Sequence, residues 1–153
     1  MDDTDRKILA VLQDDGRLTV TELAGRIPLS VSRCQRRLRE LETKRVVRGY
    51  RAEVDPAMVG LGFRAIVFVT MRQGDSETIA DFEQAAAAVP EVVSAQRLFG
   101  NPDYLLHIVA TDLAAYQRIY DEHLGALPGV QRLTSTLVMK EVVPDRGLPL
   151  AAR

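Results

Sequence analysis

Residues 62–143 alternate between two hydrophobic periods, and this alternation restricts the possible folds more than any other feature of the chain. Runs of β-branched and aromatic residues predict strands, whereas apolar residues three and four positions apart predict helices. Strands are predicted at 62–72, 91–100, 104–111 and 130–143. Helices are predicted at 74–90, which ends at Pro90, and within 112–129, where Asp112 caps the helix and Gly125 ends it. The order βαββαβ is that of a ferredoxin-like domain.

The first 50 residues carry the start signals of three helices. Asp2 is a candidate N-cap, and Ser30 can cap a third helix. Thr19 and Glu22 have the spacing of a capping box that opens the second helix. "VVRGYRAEV" then switches to a period of two, which predicts a short hairpin with its glycine at the bend. Three short helices and a hairpin predict a winged helix-turn-helix, so the whole chain is predicted to be α+β.

The third predicted helix combines an apolar seam with a basic outer face. Cys34, Leu38 and Leu41 follow helical spacing and predict the buried seam, in which Cys34 is a small core residue. A helix fits the DNA major groove, where arginine binds guanine bidentately or contacts a phosphate. The candidate DNA contacts on this face and the hairpin are Ser30, Ser32, Arg33, Gln35, Arg36, Arg37, Arg39 and Arg48. The alternative is a solvated face whose basic residues pair with Glu40 and Glu42.

Composition excludes several classes of protein. The 153 residues suffice for one domain or two small ones, and a net charge of −1 argues against general adhesion to nucleic acid. A single cysteine excludes an intramolecular disulfide and a cysteine-based zinc site. The sequence has no run of about 18 apolar residues, so we expect no membrane span. "MDDTDRKIL" lacks a signal-peptide core, and a cytoplasmic protein is expected.

The spacing of reactive residues indicates no catalytic constellation. Neither a Ser-His-Asp nor a Cys-His grouping can be argued, and the sequence has no glycine-rich phosphate loop of the Walker type. His107 lies in an apolar predicted strand and His123 near a predicted helix end. We expect structural roles for both, since single histidines carry no ligand-spacing signal. No enzyme activity, cofactor or metal is therefore expected.

Five motifs in order resemble the Lrp/AsnC family, the feast/famine regulators. "DDTDRKILAVLQDDGR" is similar to the opening helix of the family and "LSVSRCQRRLRELE" to its recognition helix. "VVRGYRAEVDPAMVGL" resembles the wing and the link to the second domain. "FGNPDYLLHI" resembles the loop between the middle strands, and "LPGVQRLTSTLVMKEV" resembles the closing strand. Each motif alone is weak, but five at the right distances make a strong match.

The resemblance implies a transcriptional regulator that binds double-stranded DNA and a small effector, typically an amino acid. It also implies a homodimer formed through the sheets of the second domain, with dimers assembling into a tetramer or octamer. The implied domains are a DNA-binding domain at 1–50, a hinge at 51–62 and an effector-binding and dimerisation domain at 63–153. The implied effector-binding residues are Gly100, Asn101, Asp103, Tyr104, Thr134, Ser135 and Thr136. For Asp103 a simple turn role is the alternative.

Two positions depart from the family pattern. Arg45 lies just after the recognition helix, where the family usually has glycine. A residue other than glycine in a left-handed helix cap costs about 1 kcal/mol, unless the helix end is remodelled, and Arg45 could instead contact a phosphate. Pro28 lies in the turn where a glycine is common, which leaves the angle between the second and third helices open.

Two other functions stay open at this point. Sirohaem decarboxylases resemble the same family and would need histidine and basic residues around a tetrapyrrole, so His107 or His123 would have to line the pocket. A module for oligomerisation or small-molecule binding alone is the other possibility, although it leaves the basic helix of the front half unexplained. A fold by itself does not decide among these functions.

Overall fold

A computed structural model describes residues 1–72, 76–143 and 146–150. These residues form two compact units. The first unit comprises residues 1–53 together with the described residues from Val142 onward, and the second comprises the described residues of Val54–Glu141. The predicted domains differ from this division because they place the residues after Glu141 with the second domain. Within the described residues no helix has the length and apolar character needed to cross a membrane.

The first unit begins with three helices that start where their caps predict. They are α1 (Asp3–Asp14), α2 (Val20–Arg26) and α3 (Val31–Thr43). The side chain of Asp2 accepts a hydrogen bond from the Asp5 N–H at 2.9 Å. Thr19 and Glu22 form the predicted capping box. Ser30 occupies the N-cap position of α3 but makes no side-chain capping bond.

The apolar seam of α3 closes the core of the first unit. Cys34 is fully buried and Leu41 nearly so, and Leu38 packs beside them. This core consists of Ile8, Leu9, Leu23, Ala24, Ile27, Cys34 and Leu41. Burial raises the pKa of the Cys34 thiol, which keeps it protonated and unreactive. The predicted role of Cys34 as a small core residue is confirmed.

The hairpin predicted from "VVRGYRAEV" is absent from the structure: residues 46–54 contain no strand. An isolated pair of strands is marginally stable unless it packs against further structure. Here the segment is held by a side chain instead. The Tyr50 hydroxyl donates to Glu42 Oε1 at 3.0 Å, and the Tyr50 ring lies 3.3 Å from where a Cβ on Gly16 would be.

The second unit is a four-stranded antiparallel sheet with two helices, as βαββαβ predicts. Its elements are β1 (Phe63–Met71), α4 (Ser76–Ala87), β2 (Val92–Arg97), β3 (Tyr104–Ala110), α5 (Leu113–Glu122) and β4 (Val130–Leu137). The strand order is β2-β3-β1-β4. Gly74 and Asp75, where the first predicted helix of this unit begins, lie outside the described residues. Asp112 caps α5 as predicted, accepting from the Ala115 N–H at 2.7 Å.

The last strand is shorter than predicted. The alternating pattern predicts a strand to residue 143, but β4 ends at Leu137, which pairs with Ala65 near the start of β1. One further bond follows, from the Val138 N–H to the Arg64 carbonyl at 2.9 Å. Strand β4 thus ends close to the residue where its neighbour β1 begins, Phe63.

The two faces of the sheet differ in how well they are covered. Val67 and Leu106 lie in the core with the helices and are fully buried. Side chains alternate between faces along a strand, so Ile66, Phe68 and Leu105 project from the opposite side. We call this side the open sheet face; Ile66, Phe68 and Leu105 are only partly buried there. Such a face is a candidate surface for association.

Candidate DNA-binding surface and effector loop

The outer face of α3 is exposed and mostly unpaired. Ser32, Arg33, Gln35 and Arg39 are all exposed. Among the described residues, neither Arg33 nor Arg39 makes a salt bridge. Several of these side chains line a shallow groove of about 400 Å³ along the helix. The face therefore presents positive charge that its own unit does not neutralise.

Arg36 has a partner within the helix. Its Nη1 lies 2.6 Å from Glu40 Oε1, four residues further along. Both side chains are largely exposed, and exposed pairs of this spacing contribute little stability. A phosphate oxygen can therefore replace Glu40 at small cost. Glu42, the other predicted partner of the arginines, accepts from the Tyr50 hydroxyl instead.

Arg37 differs from the other arginines because it joins α3 to the start of α1. Its Nη1 lies 2.7 Å from Asp2 Oδ2 and 2.7 Å from Asp5 Oδ1. Hydrogen bonds to Asp5 and then Asp2 raise the Arg37 pKa. The Asp2 pKa is lowered chiefly by the Asp5 N–H and next by Arg37. Arg37 is thus engaged by its own unit, although the sequence placed it among the candidate DNA contacts.

Arg45 holds the left-handed position that follows α3, with φ of 54°. Its N–H donates to the Glu42 carbonyl at 2.9 Å, and the Val46 N–H donates to the Leu41 carbonyl at 2.9 Å. These two bonds define a Schellman motif, which usually places glycine at this position. The helix end is therefore not remodelled to suit Arg45. The side chain itself is exposed, as is that of Arg48.

Tyr50 is a residue of this surface that the sequence analysis missed. Tyr50 is 50% exposed; its partial loss of solvent, followed by its hydrogen bond to Glu42, raises the Tyr50 pKa to about 12. The phenol bonds to α3 and packs near Gly16, so it fixes the segment that carries Arg48. A tyrosine within an alternating pattern was interpreted as part of a hairpin, and its contact across the unit has no local signal.

The loop between β2 and β3 is built around Asp103. The Asp103 N–H donates to the Val69 carbonyl at 2.9 Å, and its own carbonyl accepts from the Leu98 N–H at 2.7 Å. The Asp103 carboxylate accepts from the Met71 N–H at 2.7 Å. This carboxylate completes the backbone bonding where β1 becomes irregular at Thr70 and Met71. Asp103 therefore has structural partners within its own unit.

Gly100 and Asn101 form the exposed part of the loop. Gly100 has φ of 128°, a conformation that favours glycine, and a Cβ there would meet nothing within 4 Å. The Thr70 hydroxyl lies 3.5 Å from Asn101 Oδ1. Phe99, which the sequence analysis did not single out, is fully exposed beside them. The loop presents backbone groups and an aromatic ring to solvent.

Tyr104 lies on the helix side of the sheet and is only 3% exposed. Its hydroxyl donates to Glu83 Oε1 at 2.8 Å, and its ring centroid is 4.5 Å from that of Phe82. Burial and then Glu83 raise the Tyr104 pKa to about 12. The structure therefore separates Tyr104 from the exposed part of the loop.

The three predicted residues of β4 do not share a face. Thr134 pairs with Phe68 and Thr136 with Ile66, so both project from the open sheet face. Ser135 projects to the other side, where the Tyr116 hydroxyl lies 2.5 Å from its Oγ. With a rise of about 3.4 Å per residue, Thr136 lies about 14 Å along the sheet from the row of Thr70. One copy of the chain therefore does not bring Thr136 to the loop.

Metal-ligating side chains do not gather in this site. Within the described residues no group of three or more His, Cys, Asp or Glu side chains could hold a metal ion. His107 lies partly buried on β3, and His123 follows the last turn of α5.

Comparison with known proteins assigns both units. Residues 1–48 match the family described as winged helix-turn-helix DNA-binding, and residues 64–148 match the Lrp/AsnC ligand binding domain. The Bkd operon transcriptional regulator of Pseudomonas aeruginosa is 35% identical, with 98% of each chain covered. The leucine-responsive regulatory protein of Rhizobium meliloti is 37% identical, over 93% of this chain and 91% of that one.

A solved structure agrees with these relatives. A transcriptional regulator from Neisseria meningitidis, crystallised as a complex with L-methionine, superposes with a TM-score of 0.93 at 41% identity. The match covers 98% of this chain and 97% of that one. These matches are to regulators and do not favour the sirohaem decarboxylase alternative. The chain therefore belongs to the Lrp/AsnC family, whose members are DNA-binding transcriptional regulators with a ligand-binding domain and not enzymes.

Proposed function

We propose that this regulator binds double-stranded DNA through α3 and that an amino acid bound by the second unit changes its DNA affinity or oligomeric state. The exposed basic face of α3 carries this proposal, because Arg33 and Arg39 project from a folded helix without a salt bridge among the described residues. We place the DNA-binding domain at 1–50, the hinge at 51–62 and the effector domain at 63–141, up to the end of the second unit, in a cytoplasmic protein.

The DNA-binding residues fall into two groups. Ser32, Arg33, Gln35, Arg36 and Arg39 are exposed on α3 and can reach base edges or phosphates. Ser30 and Arg48 flank the helix and suit phosphate contacts. Arg37 is held by Asp2 and Asp5. Its contribution to DNA binding is therefore smaller than that of Arg33, and it acts by orienting α3.

Binding to a selected duplex tests the DNA proposal. A duplex is first selected from a random pool by the wild-type protein, and its affinity is then measured by fluorescence anisotropy. We expect Arg33→Ala to weaken binding by about 1–3 kcal/mol and to reduce the salt dependence if the lost contact is to a phosphate. Lys7→Ala is the charge-matched control on α1, where Lys7 is exposed.

Two outcomes would contradict the assignment of α3. One is an affinity of the Arg33→Ala and Arg36→Ala variants equal to that of the wild type. The other is an equal loss in the Lys7→Ala control, which would mean that general positive charge and not the face of α3 carries the binding.

For the effector we propose an L-amino acid that contacts the exposed loop at Gly100 and Asn101. L-methionine is the first probe, because the similar Neisseria regulator was crystallised with it. Backbone N–H groups near Gly100 can hold a carboxylate, since this residue has no Cβ. Asp103 is the proposed acceptor for the ammonium group, and Tyr104 and Ser135 support the loop and β4 from the helix side.

Calorimetry with L-methionine separates the two roles of Asp103. Asp103→Asn retains an acceptor for the Met71 N–H but removes the charge that an ammonium group needs. Loss of binding with the fold intact would support a direct contact. Unchanged binding would show that Asp103 acts on the loop alone. Asn101→Ala is the companion variant, because Asn101 is exposed in the same loop.

We also propose a homodimer through the open sheet face and a tetramer or octamer of such dimers. Ile66, Phe68 and Leu105 are partly exposed there, and a second copy would bury them. Thr134 and Thr136 lie on the same face, so in an assembly they can approach the loop of another copy. Sedimentation velocity checks this: the wild type should associate at micromolar concentration and Phe68→Glu should not. A monomeric wild type would contradict it.

A further inference from the structure

Gln13, at the end of α1, holds a peptide group of a distant segment. Its Nε2 donates to the Leu148 carbonyl at 3.2 Å, and its Oε1 accepts from the Leu148 N–H at 2.5 Å. Both bonds go to one residue, which is the pattern by which two residues of neighbouring antiparallel strands pair. The side-chain amide of Gln13 thus pairs with a backbone as a strand residue would.

Gly147 allows this close approach. A Cβ at this residue would lie 3.0 Å from both Cβ and Cδ of Gln13. That separation is tighter than ordinary van der Waals contact between carbon atoms, which is about 3.5–4.0 Å. The segment therefore lies directly on the side chain that binds it.

The end of the segment adds an apolar anchor. The Leu150 N–H donates to the Leu148 carbonyl at 2.8 Å, which closes a three-residue turn around Pro149. Leu150 packs against the core of the first unit, whereas Leu148 is 71% exposed. The segment is thus bound through the backbone of Leu148 and the side chain of Leu150. The turn directs the Leu150 side chain toward the core.

We propose that Gln13 is a peptide-binding residue and that α1 carries a docking site for residues 147–150 of the same chain. The docked segment completes the first unit from the far end of the sequence. The docked segment begins ten residues after Leu137, the last residue of β4. This docking does not depend on the proposed DNA or effector binding.

A designed disulfide tests the docking. In Gln13→Cys/Gly147→Cys the two Cβ atoms are placed 3.0 Å apart, slightly closer than the usual separation of about 3.5–4.5 Å. We expect mild oxidation to give an intrachain bond, seen as a faster monomer band in non-reducing electrophoresis. The control is Gln13→Cys/Gly25→Cys, because a Cβ on Gly25 meets nothing within 4 Å. The native Cys34 is fully buried and should not interfere.

Limited proteolysis provides a second measurement that needs no new bond. Trypsin cleaves after Arg146, directly before the docked residues. We expect Gln13→Ala to be cleaved there about tenfold faster than the wild type, because both hydrogen bonds are lost. Gln131→Ala, an exposed glutamine of β4, should be cleaved at the wild-type rate. A disulfide between two chains, or equal cleavage of Gln13→Ala and wild type, would overturn docking within one chain.

Discussion

Helix α3 and the loop 98–103 both present polar residues at the surface of their units, but the two regions engage those residues differently. On α3, Arg33 and Arg39 make no salt bridge among the described residues. In the loop, Asp103 binds the Met71 N–H, and the adjacent Tyr104 binds Glu83. The basic face is therefore ready for an external partner, whereas the loop uses much of its polar chemistry to hold its own shape.

The difference follows from how each element fixes its side chains. A helix directs its side chains by its period alone, so the residues opposite a buried seam must face outward. A loop has unpaired backbone groups, and nearby carboxylates and hydroxyls satisfy them. Polar residues of a loop are thus weaker evidence for a ligand than polar residues of an exposed helix face.

The largest expected effect concerns the structural role of Asp103. Asp103→Ala leaves the partly buried Met71 N–H without its acceptor. We expect the free energy of unfolding to fall by about 1–3 kcal/mol, the cost of an unsatisfied buried donor. Chemical denaturation measures this directly. Asn101→Ala is the matched control, and a change below about 0.5 kcal/mol is expected for an exposed residue.

This prediction also tests the contrast with α3. If Asp103→Ala is as stable as the wild type, the carboxylate is not needed by the loop, and both regions would be equally available to partners. Asp103→Asn should recover most of the stability, because the amide oxygen can still accept from the Met71 N–H.

A smaller effect on stability is expected from Arg37, since one of its partners, Asp2, is 55% exposed and exposed ion pairs contribute little. Arg37→Ala removes the bonds to Asp2 and Asp5, so the thermal midpoint should fall while DNA affinity falls less than in Arg33→Ala. Arg33→Ala should show the reverse pattern. The two variants measured side by side, by melting and by anisotropy, distinguish a structural arginine from a DNA-contacting one on the same helix.

The effect of Arg37 depends on pH in a defined direction. The Asp2 pKa is lowered from 3.8 in the folded protein, so this carboxylate stabilises the fold above pH 3.8 and loses that contribution as pH falls through its folded pKa. The difference between wild type and Arg37→Ala should therefore shrink below pH 3.8. The Asp5 N–H is the larger cause of the shift, but this bond is present in both proteins and cancels from their difference. A difference that grows in acid would contradict the ion pair.

The sequence predicted the order of elements well, because period and capping are local. Asp2, Thr19 and Asp112 cap the helices as expected. The sequence wrongly predicted a hairpin at residues 46–54. Their apolar residues alternate as those of a strand do, but the segment is irregular and is held by the bond of Tyr50 to Glu42. The sequence overestimated β4, which ends at Leu137 opposite Ala65, near the start of β1. Neither the irregular structure of 46–54 nor the end of β4 can be predicted from the residues of those segments alone.

The candidate site was predicted less completely than the fold. The exposed residues of α3 follow from the position of the Cys34 seam, but the link from Arg37 to Asp2 joins residues 35 positions apart. Two other bonds also join residues that are far apart in the sequence: that of Asp103 with Met71 and that of Gln13 with Leu148. Composition and spacing predict which side chains are polar, and only the folded chain determines which of them are already bound.

The smallest expected effect concerns Arg45, whose left-handed backbone favours glycine. Arg45→Gly relieves strain of about 1 kcal/mol, but glycine also gains freedom in the unfolded chain, so the net gain in stability should be at most about 1 kcal/mol. Arg45→Ala keeps the strained backbone and should give no gain. Both variants remove the guanidinium, so an equal loss of DNA affinity in the two would identify a phosphate contact. If Arg45→Gly is no more stable than Arg45→Ala, the backbone of this helix end carries no strain, and the residue fits there without cost. Denaturation and anisotropy on this pair separate the role of the backbone from that of the side chain.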